Sequence, residues 1–497
     1  MHFLGIDIGT SVVKAALFDE GLTQRGRAQE PLVPLTGPPG YAEVDMESVW
    51  QAVVRTVRQV LARTEAQTIA AIGISANMVG AWLIDAQGVP VRPGILWSDA
   101  RTQSLIEQLR RDSHGFMETI FRSSGSVMQQ GCTLPLLRWM IENEPESLEN
   151  AAALFGCKDW IRFKLTGEIA TDITEASVAP GDAHGRGRSD AMIAVLGVEA
   201  WAHLLPAPQP SEATGGHLTQ QAAAELGLWP GISVAIGAGD VPSSVLGAGT
   251  ARSGQAVSIL GTTCLNCVVM DEPNLEPLDL GLTFCLPGNK WLRAMVNVAG
   301  TSSLDWIARL LGQATPEGMA DIEKTEAMAR SVEPGAEGVT FLPYLNASGI
   351  IAPFVEPRAR GCFFGLEERH GPETMVRAVY EGVALSIRDC FLIMPQPVEE
   401  ICLIGGGGRS DFWAQMIADI CNRRVVTLNE REVGARGAAL LAAVSINHLA
   451  DIGAAYSLKP ARRFEAEPMP CAVAAYEVVN SRYNRLRETL RRHWRAA

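Results

Sequence analysis

Two short stretches, residues 5–14 (GIDIGTSVVK) and 258–266 (SILGTTCLN), combine residue types that grip an anion. Each is an apolar run interrupted by Gly-Thr and then Ser or Thr, the pattern of two strands joined by a tight turn. With no side chain at Gly9 or Gly261, such a turn leaves backbone N–H groups and the hydroxyls of Thr10, Ser11, Thr262 and Thr263 free to face a phosphate. Asp7 stands beside the first turn, where a carboxylate is placed to hold magnesium, directly or through water. Taken alone, either turn also reads as an ordinary hairpin closed by Asp and Thr side chains. Their recurrence about half the chain apart points to a duplicated fold whose two domains hold the phosphates of one nucleotide between them.

The elements that must carry these turns follow from local patterning. Residues 3–8, 12–18 and 24–32 read as a three-strand meander, followed by a Pro/Gly-rich loop at 34–40. A helix comes next, with Asp45 as its cap, Glu47 in its first turn, and Val49, Val53, Val57 and Leu61 at helical spacing. A strand is expected at 69–75. The second half repeats the order: strands at 255–260, 265–270 and 291–297, a helix at 302–311, a core helix at 373–391 and a strand at 400–404. The Gly/Ser/Ala-rich segment 240–254 is the expected boundary, giving domains 1–243 and 244–497.

Bulk properties agree with a two-domain enzyme. The chain has 497 residues, more than the roughly 250–300 at which one core stops growing. Its formal net charge is -13 and no long Lys/Arg block precedes the last helix, which argues against nucleic acid as the main partner. Ten scattered cysteines and a first strand that starts at once, with no signal peptide, lead us to expect reduced thiols and a cytoplasmic location. No apolar stretch reaches the ~18–20 residues of a membrane span.

Five segments occur in a telling order: GIDIGTS, ILWSDART at 95–102, KDWIRFKLTGE at 158–168, GAGD at 237–240 and GGGGRSDFWAQMIAD at 405–419. Together they resemble the FGGY family of carbohydrate kinases over nearly the whole chain, and several look most like xylulokinases and the kinases of L-xylulose and erythritol. The resemblance implies an α/β fold of two actin-like (ribonuclease H-like) domains, ATP and Mg2+ in the cleft between them, and phosphoryl transfer to a hydroxyl of a small sugar or polyol. A homodimer is compatible with it.

Asp240 carries the most chemical weight. It follows the apolar run 232–238 and a Gly, so the strand end presents a carboxylate into a cleft, and the resemblance makes it the catalytic base. The alternative is a capping Asp for a helix starting at Val241-Pro242. Gly405 and Gly406, between a strand and an amphipathic helix, would let adenine and ribose lie flat on the backbone. The resemblance makes Gly406 and Asp411 the preferred adenosine contacts and places Gly300 near the α-phosphate.

The sugar pocket departs from the relatives. The segment Asn77-Met78-Val79-Gly80 has Val79 where xylulokinase-like proteins carry His, so it cannot give that hydrogen bond. Trp82, Trp97 and Asp99 are the remaining sugar contacts to expect, with plain core as the other reading of the tryptophans. Residues 346–353 (NASGIIAP) lack a charged pair common in relatives, and Thr374 replaces an acidic or amide residue. Cys264 and Cys267 form a CxxC with no second pair or nearby His, so buried strand residues are expected rather than a zinc site. The C-terminal segment 478–497, with six arginines from Arg482 onward, reads as a helix packed through Tyr483, Leu486, Leu490 and Trp494.

The expected function is ATP-dependent phosphorylation of a ketopentose such as xylulose. Alternatives are a kinase of the same family for L-xylulose, a keto-sugar acid, gluconate or erythritol, an actin-like or chaperone-like ATPase without a sugar substrate, and a sugar-binding regulator on a kinase scaffold. An intact Asp240 argues against the last.

Overall fold

The computed structural model describes residues 1–64, 68–178 and 181–496. The first sheet holds β1 (His2–Ile8), β2 (Val12–Phe18), β3 (Gln24–Pro31), β4 (Ile69–Ala76), β5 (Thr214–His217), β6 (Ser233–Ala235) and β7 (Ala238–Gly239). Its order is β5-β6-β4-β1-β2-β3, with β7 also pairing β4; β1, β4, β6 and β7 run parallel and the β1-β2-β3 meander is antiparallel. The helix α1 (Met46–Ala62) begins where Asp45 accepts the Ser48 N–H at 3.0 Å, the expected cap. It covers one face of this sheet with α2 (Cys157–Thr166) and, at the margin, α4 (Gln220–Leu226). Between the last two lies the single turn α3 (Ile173–Ala176).

The other face of that sheet rests on α5 (Asp240–Gly247) and on a helix from the far end of the chain. The second sheet repeats the plan with β8 (Gln255–Leu260), β9 (Cys264–Met270), β10 (Leu282–Leu286), β11 (Lys290–Asn297), β12 (Glu400–Ile404), β13 (Arg424–Leu428) and β14 (Arg462–Ala466). Its order is β10-β11-β9-β8-β12-β13-β14, with β8, β12 and β13 parallel. The helices α6 (Thr301–Leu310), α7 (Pro372–Leu392) and α8 (Asp411–Cys421) pack one face, and α9 (Val433–Ser445) leaves it for the first sheet.

Four glycines make that crossing close. A Cβ on Gly5 of β1 would lie 1.9 Å from Ala435 O, and one on Gly73 of β4 would lie 1.8 Å from Ala438 O. On the helix pair, Gly247 of α5 meets Val433 O at 1.8 Å and Gly437 of α9 meets Ser243 O at 1.9 Å by the same measure. Backbone therefore rests on backbone, and α5 and α9 form a layer shared by both sheets.

One expectation changes. The run 232–238 is not one strand: it breaks at Gly237, whose φ of +83° and close approach to Ile74 O bend the chain between β6 and β7. Within the stretch 240–254, residues 240–247 form α5. The last helix, α10 (Pro470–Ala496), packs as expected, with Tyr483 and Trp494 buried and the Tyr483 hydroxyl 3.0 Å from that of Tyr344; Ala497 lies outside the described residues. Cys264 and Cys267 are buried on opposite faces of β9.

Candidate active site

The two Gly-Thr segments are hairpin turns at matching positions, β1 to β2 and β8 to β9. Gly9 N–H donates to Val12 O at 3.0 Å, and Gly261 N–H donates to Thr263 O at 2.9 Å, so the second turn is one residue tighter. The Ser11, Thr262 and Thr263 side chains are exposed, while the Thr10 hydroxyl accepts the indole N–H of Trp97 at 2.8 Å. Gly300 lies behind the second turn: a Cβ there would sit 2.4 Å from Gly261 O and 2.6 Å from Thr262 O. The start of α6 locks onto the same carbonyls, with Thr301 N–H to Gly261 O at 2.8 Å and the Ser302 hydroxyl to Thr262 O at 2.8 Å. Gly300 thus braces the turn from behind.

Gly405 adopts φ +84° beside the end of β8, where a Cβ would meet Leu260 O at 2.8 Å, and Gly406 is open to solvent. Both line a cavity of ≈400 Å³ between the halves, together with Lys14, Arg409, Glu432 and Arg463. Arg463 clamps the segment, pairing with Asp411 at 2.6 Å and donating to Gly408 O at 3.0 Å. Across the cavity, Glu432 at the start of α9 pairs with Arg27 at 2.6 Å and Lys14 at 3.5 Å, an ion cluster that joins the halves and that sequence patterning did not single out.

Asp7 and Asp240 come together through β4. Register pairs Asp7 and Ala238 with the same residue, Ser75, and Ile8 and Gly239 with Ala76, so the two carboxylates stand at one end of the sheet, two strands apart. Asp240 is the first residue of α5, with Gly239 at the cap position, and its carboxylate accepts its neighbour Val241 N–H at 2.8 Å. Burial, and then the charge of Asp7, push Asp240 up to about 7. Burial also raises Asp7, with Lys14 pulling the other way. Asp7 Oδ1 is buried without a hydrogen-bond partner. Two carboxylates both raised by burial, one of them raised further by the charge of the other, which keeps an orphaned oxygen, form a site that a divalent cation suits.

The 77–80 segment lies beside them. Asn77 donates its backbone N–H to Ile8 O at 2.8 Å and keeps a buried side-chain oxygen, Oδ1, without a partner. Met78 fills the space over Gly239. Val79 takes φ +57°, its side chain joins an apolar cluster with Val178 and Val245, and its N–H goes to Glu175. Trp97 is 46% exposed.

Two expected sugar contacts are elsewhere engaged. Asp99 is fully buried and accepts bonds from Arg101 Nε at 2.8 Å, Arg101 N–H at 2.9 Å and Ala42 N–H at 2.7 Å, which leaves it holding a loop rather than facing a ligand. Trp82 is core, with Gly94 packed against its ring. Thr374, at the first turn of α7, donates to Glu337 at 2.7 Å.

The model of the FGGY family of carbohydrate kinases matches this chain twice, its N-terminal domain over residues 2–247 and its C-terminal domain over 256–446. The chain belongs to that family. It is a phosphotransferase with an alcohol acceptor, and ATP is its phosphoryl donor. It is 32% identical to the xylulose kinase of Escherichia coli strain K12, over 98% of this chain and 99% of that protein. It is also 32% identical to the erythritol kinase of Brucella abortus strain 2308, over 89% of this chain and 87% of that protein. The crystal structure of a xyloylose kinase from Brucella ovis superposes with a TM-score of 0.89 at 29% identity, covering 99% of each chain. The fold is accordingly the two-domain α/β fold expected from the motifs.

Proposed function

We propose that the chain phosphorylates a ketopentose, xylulose first among them, with Asp240 as general base. The observation that carries the proposal is the half-buried Asp7–Asp240 pair at the end of the first sheet, beside its hairpin turn, and 32% identity to a xylulose kinase over 98% of the chain supports the choice of sugar. A sugar hydroxyl attacks well only as its proton leaves, and a carboxylate held near 7 has both an ionised fraction and proton affinity at neutral pH. Asp240 takes the hydroxyl proton onto its carboxylate as the phosphoryl group arrives. Thr10 and Ser11 from one turn, and Thr262 and Thr263 from the other, offer N–H and hydroxyl donors to the phosphates. Adenosine lies along Gly405 and Gly406 with Asp411 beside it. Asp7 would hold Mg2+, which when bound neutralises charge on the phosphate oxygens.

On the sugar side, Asn77 Oδ1 accepts a hydrogen bond from a sugar hydroxyl, while Met78 and the exposed Trp97 ring give apolar faces. The Trp97–Thr10 bond links sugar contact to phosphate turn. Val79 contributes no hydrogen bond, which favours a sugar that needs none there.

The test is ADP release over D-xylulose, L-xylulose, erythritol, gluconate and glycerol, with Asp240→Asn as control. One of the two xyluloses should give the highest kcat/KM, and Asp240→Asn should lower sugar-dependent turnover about 10²- to 10⁴-fold with ATP affinity kept. Turnover of the Asn variant near wild type refutes the base, and a clear preference for another acceptor reassigns the sugar.

A further inference from the structure

The single turn α3 has no part in the chemistry above, yet it touches both sides of it. Asp172 caps it: Oδ2 accepts the Thr174 N–H at 3.0 Å, the Thr174 hydroxyl at 2.7 Å and the Ser211 hydroxyl at 2.6 Å. Oδ1 pairs with Lys158 at 3.2 Å. These groups are buried, so each is held without competition from water. The Thr174 oxygen, its proton given to Asp172, accepts the N–H of Gly239 at 2.9 Å, the residue before Asp240. The next residue, Glu175, accepts the N–H of Val79 at 2.6 Å, in the middle of the 77–80 segment.

A non-glycine residue at φ +57° is strained, and Val79 has a branched side chain that makes it more so. The Glu175 bond is the one made by Val79 itself; the flanking residues are tied by Asn77 N–H to Ile8 O at 2.8 Å, Gly80 N–H to Gly131 O at 3.0 Å and the Thr133 hydroxyl to Gly80 O at 2.8 Å. Two adjacent residues of one rigid turn thus fix the base strand and the sugar segment.

We infer that α3 is a positioning element for phosphoryl transfer, Thr174 setting the place of Asp240 and Glu175 that of the sugar-binding segment, an inference that rests on the roles proposed above for Asp240 and residues 77–80. Because reaction requires the hydroxyl to stand within hydrogen-bond reach of the base, small displacements on either side are costly in different ways. Loss on the Thr174 side moves the base under bound sugar and lowers kcat. Loss on the Glu175 side loosens the sugar segment and raises sugar KM.

The experiment is steady-state kinetics of the full chain at saturating ATP for Thr174→Val, Thr174→Cys, Thr174→Ser, Glu175→Met and Glu175→Gln. Thr174→Val should lower kcat ~10- to 100-fold with sugar KM within about threefold, Thr174→Ser should restore kcat, and Thr174→Cys should fall between. Glu175→Met should raise sugar KM ~10-fold with kcat within about threefold, and Glu175→Gln, which keeps an acceptor for the Val79 N–H, should restore it. If the Val variant does not fold, the Cys-to-Ser comparison carries the same reading. Parallel loss of kcat and KM at both positions, a Ser variant as impaired as Val, or altered thermal stability with unchanged kinetics overturns the inference. Asp240→Asn run alongside separates the two claims: with Asp240→Asn inactive and Thr174→Val intact, only the positioning role falls, whereas an active Asp240→Asn removes the base itself.

Discussion

Glu175→Gln should stabilise the protein at neutral pH and lose that advantage in acid. Burial, and then the charge of Asp159, push the Glu175 carboxyl from 4.5 up to about 8, with Lys158 pulling back and Asp172 adding to the rise. Below pH 4.5 the group is protonated in folded and unfolded chains alike and contributes no pH dependence. Above that the unfolded chain gives up its proton while the folded chain keeps it until about pH 8. The folded state then binds more protons, and stability falls as pH rises through the window. At about 1.4 kcal/mol for each tenfold change in proton concentration, the penalty reaches about 3 kcal/mol by pH 7. A Gln side chain has no proton to lose, and its carbonyl can still accept the Val79 N–H. Urea midpoints for wild type and variant at pH 4.5, 5.5, 6.5 and 7.5 measure the difference directly, and other titrating groups cancel in the subtraction. A gap that grows with pH in favour of Gln supports the account. A gap that is flat, or that favours Glu at pH 7, refutes it.

Gly73→Ala should force α9 away from the first sheet, since a Cβ 1.8 Å from Ala438 O needs more than 1 Å of movement; calorimetry should show a loss of about 1–3 kcal/mol, with turnover falling too. Asp7→Asn should raise the Mg2+ concentration for half-maximal turnover more than about tenfold, read from a metal titration after chelation; an unchanged midpoint would remove Asp7 from the metal site. ATP analogue plus sugar should draw the two turns together, so solution scattering should give a smaller radius of gyration than for the ligand-free protein, and identical profiles at saturation would count against closure.

The sequence revealed what depends on neighbours along the chain. Strand alternation, the Asp45 cap and the two Gly-Thr turns are local, and the structure has all of them where the pattern puts them. The position of Asp240 at a strand end is legible because a strand, a Gly and a carboxylate follow one another, whereas its role as base comes from the family resemblance. Asp99 and Trp82 could not be placed from sequence, because a carboxylate and an indole look alike whether they face a ligand, a loop or the core; what separates the readings is Arg101 and Gly94, and nothing local ranks those partners above a sugar. The kink at Gly237 depends on Ile74, more than 160 residues earlier. Glu432 was missed for the same reason, since its partners Lys14 and Arg27 are over 400 positions away. The pair Thr174–Glu175 lies in a four-residue turn too short to give any periodic signal.

The crossing of α9 onto the first sheet also has a consequence for synthesis. The ribosome releases β4 at residue 76, but the helix that covers its glycine-lined face begins at residue 433. At roughly 5 to 20 residues per second, that face waits on the order of 20 to 70 s for its cover. During that interval the nascent first half carries an open apolar surface, and a ribosome that stalls before residue 433 leaves it uncovered. The first half of the chain, although made first, is therefore among the last parts of the molecule to be finished.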